Sequence, residues 1–247
     1  MTISTDSGFY DEGWSTQWRD MKRFSPMGRH TRRWILKLLK RLRSPLSIAD
    51  IGCGDGSLLS EVSRVYPHAA LYGVDFSGVA IDICQRRIPT GTFSVQDICH
   101  DPIHLGRSVD VAINSEVLEH VPDDEAALRH MATCCGYLII TVPGGRLDEN
   151  ARGMGHLRHY DESSLKALVE RVGLEVRYCR SWGFPFAYPF YAGARNRARH
   201  RALTGRYGWG KRSLAHILYG LFFLNDLFVG GNKIFLLARN PAFEGRE

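Results

Sequence analysis

Residues 48–62 read IADIGCGDGSLLSEV: an apolar run, glycines at 52, 54 and 56, then residues at helical spacing. A strand that turns on glycine straight into a helix opens a βαβ unit, and such units stack into a parallel sheet covered on both faces. The chain repeats this rhythm. ALYGVDFS, GTFSVQDI, SVDVAINS and GYLIITVPGG read as further strands, while GVAIDICQRRI and DDEAALRHMATCC read as helices between them. The expected architecture is a doubly wound α/β domain.

Both ends depart from that rhythm. SPMGRHTRRWILKLLKRLRSP carries a Ser cap, a first-turn proline and a proline stop, which predicts a helix from about Pro26 to Leu42. Past the fifth strand, DESSLKALVERVG has Asp161 as a capping-box start and a glycine stop. LEVRYCRSW and NKIFLLARNP then read as two more strands, separated by a Gly183 to Gly231 stretch too long for an ordinary connection and better suited to a lid or substrate-facing insert. The expected organisation is an N-terminal arm and helix (1–45), a core (46–182), an aromatic, basic and amphipathic insert (183–231), and a last strand and tail (232–247).

Composition narrows the class. Of the 247 residues, 44% are hydrophobic and 23% charged, a globular mix. The net charge of +6 collects at the two ends, in MKRFSPMGRHTRRWILKLLKRLR and in ARNRARHRALTGRYGWGKR. Solvated helix faces, nucleic acid, an anionic membrane or an acidic substrate would each suit such ends. Six cysteines without a CxxC pair indicate neither a zinc staple nor a disulfide framework. The N-terminal stretch lacks the charge and apolar core of a secretory signal, so a cytoplasmic location is expected. LAHILYGLFFLNDLFVGG is too short and too polar to span a bilayer; it reads as an amphipathic helix that packs on the domain, on a second subunit or on a membrane surface.

The glycine turn is a ligand site, because unpaired N–H groups of the following helix face it and glycine lets a ligand approach the backbone. In a dinucleotide fingerprint the third glycine falls three residues after the second, yet here it is Gly56, two after Gly54. Asp75 closes the second strand 23 residues after Gly52, where a carboxylate can accept from both hydroxyls of an adenosine ribose and repel a 2′-phosphate. Asp97 closes the third strand, and Asn114 and Ser115 the fourth.

In order and spacing, ADIGCGDGSLL, LYGVDFS, FSVQDI, VAINSEVLEHVPDD and GYLIITVPGG resemble the motif series of class I S-adenosylmethionine-dependent methyltransferases, over roughly residues 30 to 180. The resemblance implies a Rossmann-like methyltransferase fold with seven mostly parallel strands, the last antiparallel, and S-adenosyl-L-methionine as cofactor with S-adenosyl-L-homocysteine as product. It implies Asp50, Gly52 and Gly54 at the methionine portion, with Cys53 and Gly56 completing the loop. Asp75 would take the ribose, Phe76 and Ile98 the adenine faces, and Asp97 its amino group. Arg29, or equally Arg32 or Arg33, would pair with the cofactor carboxylate. FYDEGWSTQWRDM resembles a lid over the cofactor, with Tyr10, Trp14 and Trp18 able to shield it.

Candidate bases fall in two blocks, Glu116, Glu119 and His120 after the fourth strand, and His156, His159 and Tyr160 after the fifth. The first block is similar to ubiquinone-biosynthesis O-methyltransferases, in which two Glu and a His are associated with a divalent metal. Paired Glu and His also cap a helix without any metal, and none is expected here. His159 leads as base, with His120 and Glu119 behind it. WGFPFAYPFYAGARNRAR places aromatics in the insert, which suggests a hydrophobic or ring-containing acceptor. The expected activity is methyl transfer to a small molecule, most readily on oxygen. Transfer to nitrogen or carbon, a nucleic-acid or protein methyltransferase, and a non-catalytic binder are the alternatives. With NSEV at the fourth strand end in place of an Asn-Pro-Pro-Tyr-like element, no nucleic-acid partner is expected, and a membrane surface or a second copy stands beside the domain itself as what region 183–231 could meet.

Overall fold

A computed structural model describes residues 7–16, 18–99, 102–191 and 206–243. Its centre is a seven-stranded sheet in the order β3-β2-β1-β4-β5-β7-β6. The strands are β1 (Ser47–Ile51), β2 (Ala70–Asp75), β3 (Thr92–Val95), β4 (Val109–Ser115), β5 (Cys135–Pro143), β6 (Glu175–Trp182) and β7 (Lys233–Arg239). The first five are parallel, and β7 runs antiparallel between β5 and β6. From β1 the chain winds one way to β3 and then returns to the other side at β4. That reversal opens a crevice at the carboxyl ends of β1 and β4, where open α/β sheets bind ligands.

Alternation along the strands fills both faces. Ala49, Ala112, Leu138, Ile140 and Leu236 pack with α6 (Asp124–Ala132) and α8 (Glu162–Arg171). Their neighbours Ile48, Val111, Ile113, Ile139 and Phe235 turn the other way, onto α3 (Pro26–Leu39), α4 (Ser57–Val65) and α5 (Gly78–Arg87). The short α1 (Ser7–Thr16) and α2 (Trp18–Phe24) precede α3, and α7 (Glu149–Gly153) precedes α8. Ser25 caps α3 and Asp161 caps α8 in a capping box with Ser164, as the sequence predicts. Helix α3 ends at Leu39 rather than Leu42, because the Arg41 and Leu42 N–H groups bond the carbonyls three residues back, of Leu38 and Leu39, and so leave the α pattern.

The stretch from 183 to 231 is not a plain loop. It contains α9 (Ala187–Tyr191), α10 (Trp209–Phe222) and a 3-10 turn at Phe223–Leu227; the basic part at 192–205 lies outside the described residues. No helix among the described residues is long and apolar enough to cross a membrane. Leu218 and Phe222 of α10 enter the core beside Trp34 and Ile35. His30 is fully buried there, its ring 4.9 Å from Trp182 and 4.5 Å from Tyr219, with Nε2 2.9 Å from the Tyr219 carbonyl. Burial lowers its pKa to about 4, so it is neutral at pH 7.

Asp226 fastens this region. It accepts from Arg33 (2.7 and 2.8 Å), from Lys37 (2.7 Å) and from the Trp182 indole (2.9 Å). Burial alone would raise its pKa, but the bonds from Arg33 and Lys37 outweigh burial and hold the carboxyl well below its ordinary 3.8. A depressed carboxyl contributes stability that is complete above the unfolded value and is lost as pH falls through and below it. Asp226→Ala should therefore lower the unfolding free energy by about 2–4 kcal/mol at neutral pH. Urea midpoints should show the wild type losing this advantage over Asp226→Asn as pH drops below the ordinary carboxyl value of 3.8.

Candidate active site

The turn after β1 is shaped by backbone that only glycine adopts readily. Gly52, Gly54 and Gly56 have φ of 84°, 52° and 69°. Neighbours also crowd it: a Cβ on Gly52 would lie 2.2 Å from the Val117 side chain, and one on Gly54 would lie 2.4 Å from the Trp14 ring. The N–H groups of Gly52 and Cys53 both reach the Val74 carbonyl, at 2.8 and 3.0 Å, which anchors the turn to the end of β2. Asp75 then bridges the two turns, accepting from Gly54 N–H (2.7 Å) and Ser77 N–H (2.9 Å). Buried Asp55 accepts from Ser57 N–H at the start of α4 and pairs with Arg87 at 2.7 Å.

Helix α1 lies over this turn. Trp14 is buried against Gly54, and Asp11 accepts from the Ser77 hydroxyl and, at 3.3 Å, from Val79 N–H at the start of α5. Trp18 meets Trp14 edge-on at 5.2 Å. The Tyr10 side chain lies outside the described residues.

A second group gathers where β4 and β5 end. Glu116 has φ of 60°, a strained value for a residue with a side chain, and follows Ser115, which faces Thr141 across the ladder. Its carboxylate accepts from Thr141 (3.0 Å) and pairs with Lys233. Buried Glu119, half-buried His120 and His156 bring ligand-type atoms within 4.8 Å of one another. His120 Nδ1 lies 3.1 Å from the Gly155 carbonyl, its ring 4.7 Å from His156, and His156 Nδ1 lies 3.0 Å from His159 Nε2. Burial, then the neighbouring His120, lowers the His156 pKa to about 3; burial, then Lys233, lowers His159. Both rings are neutral at pH 7, so each holds one N–H and one lone pair. Tyr160 is spoken for: its hydroxyl donates to Asp124 at 2.8 Å, and burial with that carboxylate pushes its pKa up.

Most residues singled out from sequence lie at or just after the carboxyl ends of β1 to β4. Asp50 is buried in β1 next to Ile51, which pairs with Asn114. Asn114 donates to the Ile51 carbonyl, while its own Oδ1 is buried with no hydrogen-bond partner among the described residues. Ile98 is buried, Phe76 is exposed on the turn after Asp75, and Asp97 accepts from Cys99 N–H at 2.9 Å. Arg29 goes elsewhere. Its guanidinium sits 3.6 Å from the Tyr219 ring centre and 3.2 Å from His216, so α10 engages it. Arg32 and Arg33 are also committed, to Glu61 and Asp226. The two blocks of candidate bases also meet: Lys233 holds Glu116, while His156 of the second block approaches Glu119 and His120 of the first. Sequence reading missed Asp11, Asp55 and Arg87; Asp55, two residues before a helix start, carried a capping signal.

These features fit S-adenosylmethionine: a glycine cradle closed to side chains, a carboxylate at the end of β2, and an orphaned buried amide oxygen at the end of β4. Residues 19–178, well over half of the chain, match the family model described as a methyltransferase domain. The chain belongs to this family of S-adenosylmethionine-dependent methyltransferases. It is 28% identical over 131 residues to a trans-aconitate 2-methyltransferase of Rhodococcus jostii, covering 51% of this chain and 50% of that one. It is 34% identical over 104 residues to a ubiquinone biosynthesis O-methyltransferase of Coxiella burnetii, covering 40% and 41%. The match thus spans about half the length of these relatives or less. The fold is shared with the N-methyltransferase NodS of Bradyrhizobium japonicum, solved with S-adenosyl-L-homocysteine, at a TM-score of 0.63 and 14% identity over 95% of this chain and 98% of that one.

With S-adenosylhomocysteine at about a hundred times its dissociation constant, the wild type should gain about 2.7 kcal/mol against unfolding. Asp75→Ala and Gly54→Val should each bind at least about tenfold more weakly and lose about 1.4 kcal/mol of that gain. Thermal unfolding with and without ligand reads both.

Proposed function

We propose that this protein transfers a methyl group from S-adenosylmethionine to an oxygen of a small, hydrophobic or ring-containing acceptor. The observation that carries the choice of oxygen is the neutral pair His156 and His159, beside His120 and Glu119, at the ends of β4 and β5. When bound, S-adenosylmethionine supplies a methyl group already activated by its sulfonium, and no covalent enzyme nucleophile is needed. A hydroxyl acceptor must lose a proton as it attacks, and a neutral imidazole with a lone pair can take it. His159 is the leading base, and His120 beside it is held with Nδ1 3.1 Å from the Gly155 carbonyl and Nε2 3.9 Å from Glu119. In this reading Asp50, Asn114 and the loop of Gly52, Cys53, Gly54 and Gly56 hold the methionine end, with Ser115 beside them. Asp75 holds the ribose, and Phe76, Asp97 and Ile98 hold the adenine. Helix α1, with Trp14 on Gly54, excludes water.

The names of the O-methyltransferase and trans-aconitate methyltransferase relatives support a small-molecule acceptor, and aromatic residues of the insert support an apolar one. No nucleic acid is assigned as partner, and region 183–231 is assigned a contact with a membrane or a second copy. A second reading, a divalent metal, is favoured by the approach of Glu119, His120 and His156 to within 4.8 Å. Assays with catechol-like and amine acceptors separate these readings. The base reading expects turnover of hydroxyl acceptors, a kcat loss of about 10²-fold or more in His159→Gln with S-adenosylhomocysteine affinity unchanged, and indifference to EDTA. Turnover of amines alone, or a His159→Gln protein as fast as wild type, would contradict it; loss of activity in EDTA would favour the metal.

A further inference from the structure

Helix α3 and its C-terminal cap carry a row of cations that their surroundings do not neutralise. Arg29, Arg33, Lys37 and Lys40 follow one another at steps of three or four residues, so they share one side of the helix over about 17 Å. All four line one groove of about 450 Å³, with Glu61 of α4 and Tyr219 of α10 also in its walls.

Acids are scarce around this groove. Neither α3 nor α10 contains an Asp or Glu, and Glu61 is the single acid of α4. Glu61 is taken by the buried Arg32 at 2.6 Å, and Asp226 is shared by Arg33 and Lys37. Two carboxylates thus stand against five cations, Arg32 included, and the surplus is three positive charges. Arg29 and Lys40 pair with no acid among the described residues. The Arg29 guanidinium lies over the Tyr219 ring, 3.6 Å from its centre, and one of its nitrogens is 3.2 Å from His216 Nδ1. A guanidinium has five N–H donors, so most of this one's are left for an oxyanion.

We infer that the groove binds a phosphate-bearing ligand, at a site separate from the methyl-transfer crevice. Its volume falls in the range of small-molecule sites, about 300–1,000 Å³. A lone carboxylate would meet only one of the surplus charges, whereas a phosphoryl group brings nearly two, together with three strong acceptor oxygens. Arg29 offers a planar fork to such oxygens and Lys40 a compact point charge. None of the lining residues belongs to the glycine turn or to the histidine group, and the inference does not depend on the reading of methyl transfer.

Calorimetric titration of the full chain with inorganic pyrophosphate tests it. The wild type should bind, with an affinity that falls as salt rises. Arg29→Gln should bind at least about tenfold more weakly, and Lys40→Gln, a change at an exposed position, should weaken binding by a smaller factor. Glu61→Gln, which removes the acid in the wall, should bind more tightly, a gain that a damaged fold cannot produce. S-adenosylhomocysteine affinity, measured on the same variants, should stay at the wild-type value; a parallel loss of it in Arg29→Gln would return Arg29 to the cofactor and overturn the proposal. So would absence of pyrophosphate binding by the wild type, equal binding by Arg29→Gln, or equal affinity for citrate, which would make the ligand a carboxylate. Phosphatidylcholine vesicles with and without phosphatidic acid identify the source of the phosphate once pyrophosphate binds. Sedimentation with the phosphatidic acid vesicles, reversed by pyrophosphate, supports the site with a lipid headgroup in it; no sedimentation supports it with a soluble ligand.

Discussion

One carboxylate ties together the two turns on which the site depends. Asp75 closes β2 and holds the N–H of Gly54 in one turn and of Ser77 in the next. Gly54 is the middle of three left-handed glycines, and Ser77 in turn caps α5 through Ala80 N–H. Asp11 reaches the same Ser77 hydroxyl from α1. The crevice at the β1/β4 reversal, the starts of α4 and α5 and the N-terminal cover are therefore positioned through a single acidic side chain. An acid in that place does two jobs, bracing the turn and offering lone pairs to a polar ligand, since a carboxylate has room for about four hydrogen bonds.

The reacting side of the crevice rests on a different device. Glu116 is the one residue other than glycine with positive φ among the described residues, and Thr141 and Lys233 hold it there. The lysine comes from β7, the antiparallel strand that arrives after the insert. Closing the sheet with β7 thus fixes the turn leading to Glu119 and His120. Leu157 N–H then bonds the Glu119 carbonyl at 2.8 Å, which draws the segment after β5, with His156 and His159, against the same turn. Two stretches of chain some forty residues apart meet because the parallel pairing of β4 and β5 brings their ends side by side.

The sheet, its order of helices and the glycine turn were legible because each rests on local pattern: buried runs, helical spacing, caps at Ser25 and Asp161. Asp75 was legible for the same reason, being set by its distance from the turn. Arg29 was not. Three arginines at positions 29, 32 and 33 look alike in sequence, and what separates them is α10, some 190 residues later, whose Tyr219 and His216 take Arg29. The meeting of His156 with Glu119 and His120 was hidden likewise, because the Lys233–Glu116 pair that braces the turn before them depends on a strand pairing no local signal reveals. Long-range charge pairing, rather than periodicity, decided these positions.

Hydrogen–deuterium exchange on the wild type, with and without S-adenosylhomocysteine, tests the central claim most directly. The account predicts slowed exchange in peptides covering residues 52–57, 75–77 and 114–117, where the turns around Asp75 and the end of β4 close on the ligand. Unchanged exchange in those peptides, or protection confined to the groove between α3 and α10, would contradict it.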